Sequence, residues 1–245
     1  MLAGGQVLAA DLPAPPVAAP PRAPALYSPV IAPAYNWGGV YLGINGGGAF
    51  GSSTWTGSAG GSTGSFTATG GVVGGTLGFN YQIAQFVIGA EGDIDFQFLN
   101  DNSAGGCGTI GAGLGIAIPT ATTCKTKSDW LGTIRGRAGY AADRFLIFAT
   151  GGAAFGDVEA AFSTSSTFSA STQFGWTVGG GLEYGFTDNF TARIEYLYVD
   201  LGKSASCTAA CNFTNGASAV ITPNIGVSLS ENLVRVGLNY KFGAF

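Results

Sequence analysis

From residue 37 onward, apolar and polar positions alternate with a period of two, the pattern of β-strands with two unlike faces. It is legible near residues 37–50, 69–82, 86–96, 128–141, 145–156, 173–186, 190–200 and 231–242, which predicts eight strands. The connections alternate in length. Ile83–Gln85, Ala142–Arg144 and Thr187–Asn189 are short, whereas residues 51–68, 97–127, 157–172 and 201–230 form long segments rich in Gly, Ser and Thr. Short turns at one end and long loops at the other mark transmembrane β-barrels. Tyr81 and Phe86, Tyr140 and Phe145, and Tyr184 and Phe190 bracket the short turns, and Tyr240 and Phe242 close the last strand. Rings gathered at one level form an interfacial girdle.

The strand charges obey parity. Glu91, Asp93 and Asp95 share a face, as do Arg135 with Arg137, Arg193 with Glu195, and Arg235 with Lys241. Glu183 shares its face with Thr177, Gly179 and Gly181. The opposite faces, such as Ile88, Ile94 and Phe96 or Val234, Val236, Leu238 and Tyr240, carry no charge. The stretch 145–156 is apolar on both faces and is not oriented by its sequence.

A soluble barrel would turn the bulky set inward, and a membrane barrel would turn it outward. The interior of eight strands is barely wide enough for ordinary side chains. The Trp, Tyr and Phe set is too large for it, while the Gly, Thr and charged set fits. The pattern therefore predicts an all-β fold: an eight-stranded antiparallel up-and-down transmembrane barrel. Its lumen would hold Glu91, Asp93, Asp95, Glu183 and Glu195 against Arg135, Arg137, Arg193, Arg235 and Lys241, a near balance that buried ions require.

Composition narrows the function. Only 10% of the residues are charged, below the roughly 25–35% of soluble surfaces, yet no apolar run approaches the ~18 residues of a spanning helix. The net charge of −4, without a basic cluster, argues against nucleic acid as a partner. The chain has no histidine, which removes Ser-His-Asp and Cys-His catalysis and His-ligated zinc or haem. The expectation is a protein that is not an enzyme and carries no cofactor or metal. Gly46–Gly51 and Gly106–Gly111 match a dinucleotide-binding spacing, but neither opens a helix after a parallel strand. Glu91, Asp93 and Asp95 on a strand form a row rather than the wrapping loop that calcium needs.

Residues 1–9 read as the remnant of a secretory signal, with a small-residue cleavage site around Ala9 and Ala10. Eight of the ten prolines fall between Pro13 and Pro33, so residues 10–35 should form an extended leader and residues 36–245 the barrel domain. Cys107 and Cys124 share the second long loop, and Cys207 and Cys211 the fourth. No histidine is available to complete a zinc site, and in an exported protein an even number of cysteines favours disulfides. Pairing within each loop is expected, with cross-loop pairing as the alternative.

The stretches ADLPAPP (10–16), WGGVYLGINGG (37–47), WLGTIRGRAGY (130–140), TGGAAFG (150–156), YLYVDLG (196–202) and NLVRVGLNYKF (232–242) resemble the small alphaproteobacterial outer-membrane β-barrel proteins. This porin-family group has an OmpA-like eight-stranded barrel and includes immunogenic surface proteins. Such barrels tend to end on a phenylalanine that closes the last alternation; here the alternation ends at Phe242 and Gly243-Ala244-Phe245 follows. The resemblance implies an integral, surface-exposed protein of the Gram-negative outer membrane, with outer-membrane lipid and the barrel assembly machinery as partners. It leaves open a small porin-like channel and loops that bind a surface ligand. Some relatives are described as haem-binding, which here would need a tyrosine ligand or none.

Mass spectrometry of the mature protein under non-reducing conditions should find Cys107–Cys124 and Cys207–Cys211 links; four free thiols or a Cys107–Cys207 link would contradict the pairing.

Overall fold

The computed structural model describes residues 35–57, 62–100, 124–162, 169–206, 213–215, 219–221 and 225–243. Eight long strands form the wall: β1 (Gly39–Gly57), β2 (Ser62–Ile83), β3 (Phe86–Asn100), β5 (Trp130–Ala142), β6 (Phe145–Phe162), β7 (Ser169–Gly185), β8 (Phe190–Ser206) and β11 (Ile225–Phe242). Each pairs antiparallel with its neighbour in sequence, and β1 pairs with β11 from Val40↔Phe242 to Gly57↔Ile225, closing the barrel. Closure pairs the edge amides that hydrocarbon could not solvate.

The strands extend past the ends expected from the alternation, by seven residues in β1 (to Gly57 rather than 50) and seven in β2 (from Ser62 rather than 69). These extensions are rich in Ser, Thr and Gly. Beyond the membrane both faces of a strand can be polar, so the period-2 signal fades while the backbone ladder continues. The fourth expected strand, near 128–141, is continuous and is preceded by a short strand within the span expected as the second long loop. β4 (Cys124–Lys127) pairs with β6, and β5 begins at Trp130. Between them, Asp157 Oδ1 accepts from the backbone amides of Asp129 (3.0 Å) and Trp130 (2.9 Å). The span expected as the fourth long loop contains a small separate hairpin, β9 (Phe213–Asn215) with β10 (Ala219–Ile221).

The bulky residues face outward. Ile94, Ile134, Val236 and Leu238 lie on the exterior, each more than half exposed, and rings line the short-turn end, where Phe86 packs on Tyr140 and Phe145 on Tyr184. The unoriented strand β6 resolves plainly: Leu146, Phe148, Thr150 and Ala154 point inward, while Phe145 and Ile147 point outward. Two of the short turns use a left-handed non-glycine residue, Ala84 (φ 53°) and Asp143 (φ 52°). Asp is well suited to that region, and Ala is not.

Tyr35 and Trp37 close the short-turn end from inside, packed edge to face at 4.8 Å among Val87, Ala141, Leu146 and Phe148. Trp37 Nε1 donates to the Asp143 carbonyl (2.9 Å) and its backbone amide to Gln82 Oε1 (2.6 Å), so the residue is held by both ring and backbone. Burial and then the Glu183 charge push the Tyr35 hydroxyl up to about 12.

Leu238 lies on the lipid-facing side of β11, and Leu238→Arg should cost on the order of 2–4 kcal/mol at the bilayer midplane. Heat-modifiable gel mobility after folding into bilayers measures it; an unchanged folded fraction would mean the inward and outward faces are assigned the wrong way round.

Candidate functional site

Because inward positions recur every second residue, β3 presents Glu91, Asp93 and Asp95 to the lumen, β5 Arg135 and Arg137, β7 Glu183, β8 Arg193 and Glu195, and β11 Arg235. All nine are buried. Register alone brings Glu91 opposite Arg135, Glu195 opposite Arg235 and Glu183 opposite Arg193, on adjacent strands. Other contacts, among them Arg135 with Glu195 and Arg235 with Asp93, cross the lumen.

Arg135 of β5 and Arg235 of β11 meet at the centre, where their guanidinium groups share carboxylates. Arg135 Nη2 lies 2.6 Å from Asp93 Oδ2 and 2.8 Å from Glu91 Oε1, and Nη1 lies 2.7 Å from Glu195 Oε1. Arg235 Nη1 reaches Asp93 Oδ1 (3.0 Å) and Asp95, and Nη2 reaches Glu195 Oε2 (2.8 Å). Arg193 Nη1 contacts Glu91 Oε2 (3.0 Å), and Nη2 donates to Thr76 Oγ1 (2.8 Å). Thr133 donates to Asp93 Oδ2 (2.8 Å).

A second group sits nearer the short turns. Arg137 pairs with Glu183 and stacks on the Phe148 ring at 3.9 Å. Glu183 also accepts from Thr191 and from Asn239 Nδ2 (2.9 Å). The Tyr41 hydroxyl joins the groups, donating to Glu91 Oε2 (2.7 Å) and accepting from Arg137 Nη1 (3.2 Å). Charged hydrogen bonds of this kind are the strong ones, and the planar fork of arginine suits shared carboxylates.

Lys241 departs from the expectation. It stands at the last inward position of β11, donates to the Asn36 carbonyl and lies 4.4 Å from the centre of the Tyr35 ring. Among the described residues it has no ion-pair partner. Parity gave its face but not its height, and at the barrel's end it meets the Tyr35 segment instead of the carboxylates. The described network is thus five acids against four arginines.

Sequence reasoning also passed over three things. Glu231, a sixth buried acid on the same β11 face, bonds Gln97 (2.7 Å). Tyr41, Thr76, Thr133, Thr191 and Asn239 serve as neutral partners, and their inward parity was the available signal. Above the arginines lies an apolar layer in which Ala49, Leu233 and Leu197 are aligned across three strands, with Leu131 opposite Asp95. All four are fully buried.

Among the described residues no cluster of Cys, Asp and Glu has the arrangement of a metal site. Cys107, Cys207 and Cys211 lie outside the described residues, and Cys124 is described only as the backbone that opens β4.

Residues 17–242 match the family model described as outer membrane protein beta-barrel domain. The chain belongs to that family. It is 35% identical over 234 residues to the 31 kDa outer-membrane immunogenic protein of Brucella melitensis, covering 88% of each chain. It is 33% identical over 215 residues to the 22 kDa outer membrane protein of Rhizobium leguminosarum bv. viciae, covering 86% of this chain and 81% of that one. The 25 kDa outer-membrane immunogenic protein of Brucella abortus is 27% identical over 220 residues, with 89% and 86% covered. The protein is an integral barrel of the Gram-negative outer membrane, with outer-membrane lipid around its apolar wall.

Removing one guanidinium strands buried carboxylates, so Arg135→Ala should destabilise the folded barrel by roughly 3–5 kcal/mol. Urea titration in lipid vesicles measures the loss, and a variant as stable as the parent would show that the contacts to Glu91, Asp93 and Glu195 contribute little.

Proposed function

We propose that this outer-membrane barrel is a surface-exposed structural protein whose interior is closed by its own side chains, and that it is neither a general diffusion pore nor an enzyme. The observation that carries the reading is the burial of the central ions: the side chains of Arg135, Glu91, Asp93 and Glu195 have no exposed surface. An eight-stranded lumen leaves little space beyond its side chains. The apolar layer of Leu131, Leu197 and Leu233 adds a second obstruction, because narrow apolar constrictions exclude water.

The same pairing speaks against catalysis. A general acid or base needs a proton to exchange with a substrate in a cleft. Here the five carboxylates of the network are held by arginines within the wall of the barrel. Residues 1–9 fit a secretory signal remnant and residues 10–35 a proline-rich leader, and insertion would use the barrel assembly machinery. The names of the relatives, outer-membrane immunogenic proteins, favour long loops displayed at the cell surface, where any ligand would bind.

Planar-bilayer recording of the purified barrel should give no large, stable openings. Ohmic channels of uniform conductance would overturn the closed interior and favour a small porin.

A further inference from the structure

Among the described residues, one acid of the interior has no basic partner. Glu231 is fully buried, and its Oε2 accepts from Gln97 Nε2 at 2.7 Å. The remaining oxygen of each partner, Glu231 Oε1 and Gln97 Oε1, is buried without a hydrogen-bond partner. Glu231 lies above the apolar belt, since the outward neighbours on its strand are Ser230 and Asn232, and the belt begins at Val234.

Among the described residues its surroundings offer no compensating base. On β11, the apolar Leu233 separates it from Arg235, which is engaged by Asp93, Asp95 and Glu195. Its register partners are Val199 on β8 and Gly51 on β1. On β3, Asp95 lies one inward position from Gln97 and is turned to Arg235. On β6, the half-buried Asp157 acts on Glu231 with a charge of the same sign. A bare carboxylate here would be desolvated, unpaired and repelled, a combination that proteins avoid by neutralising the group.

A single proton relieves both orphan oxygens. A primary amide and a carboxylic acid can each turn one donor and one acceptor toward the other, so the acid O–H can donate to Gln97 Oε1 while the amide donates to Glu231 Oε2. We propose that Glu231 is a proton-binding site, its carboxyl carried as the neutral acid at neutral pH in a two-bond pair with Gln97. The pair joins β3 to β11 across the loop end of the lumen. In the unfolded chain a Glu side chain has already released its proton at neutral pH. The folded barrel therefore binds the extra proton, and its stability falls as pH rises. This inference is independent of whether the lumen conducts.

Infrared difference spectroscopy of the folded full-length protein tests it. At neutral pH, parent minus Glu231→Gln should contain the carbonyl band of a protonated carboxyl, lost on raising the pH; carboxylate bands in its place would overturn the proposal. Gln97→Leu leaves the carboxyl but removes its partner, so the carbonyl band should shift; an unmoved band would count against the pair. The thermal midpoint of heat-modifiability should fall for the parent relative to Glu231→Gln as pH is raised, and parallel curves would refute the linkage. A cation released from the parent by chelator, and absent from Glu231→Gln, would assign the carboxylate to a metal and overturn the proton.

Discussion

The pairing of β1 with β11 is the constraint on which the rest of the molecule depends. Hydrocarbon offers no partner for a free amide, so eight strands exposed to lipid must close on themselves. Closure at eight strands then dictates a narrow interior. Rings and branched chains are driven outward, and the inward positions fall to glycine, threonine and whatever charged groups can neutralise one another. At Gly78 an added Cβ would run into the Tyr41 ring, and at Gly47 into the backbone of Val234 and Arg235. Gly78 thus leaves space for the Tyr41 ring, and Gly47 lets the β11 backbone come close.

Within that narrow space the interior is layered. Tyr35, Trp37, Leu146 and Phe148 close the short-turn end with apolar packing. Arginines and carboxylates occupy the middle, the leucine layer lies above them, and Glu231 with Gln97 lies higher still. The layers differ in how they respond to change. An apolar layer loses packing when trimmed, by an amount that depends on how far its neighbours relax. The ionic layer fails more abruptly, because each charge removed leaves another unpaired.

The ionic layer also differs from a simple stack of salt bridges. Arg135 serves Glu91, Asp93 and Glu195 together, and Arg235 serves Asp93, Asp95 and Glu195. Strands β3, β5, β8 and β11 are thereby tied across the lumen as well as along the wall. Two adjacent strands in a sheet could satisfy the Glu91–Arg135 pair by themselves; only the curved, closed wall brings Glu195 to Arg135 and Arg235 to Asp93 and Asp95.

The alternation of residues by itself determined the strand count, the up-and-down order and which face of most strands meets lipid, because parity is a local property of an extended chain. It also placed Glu91, Asp93 and Asp95 on one face with no knowledge of what they touch. Local parity carries no information about height along the barrel axis or about position around the wall. Lys241 shares its face with Arg235 yet meets Tyr35 at the barrel's end, and Glu231, on that face too, lies beyond the leucines from the arginines of the network. Strand β6, apolar on both faces, took its orientation from Phe148 stacking under Arg137 inside and Phe145 joining Tyr184 outside. Those choices were made by strand register and closure, which set the level and the wall position of each inward side chain and so decide which charges can meet.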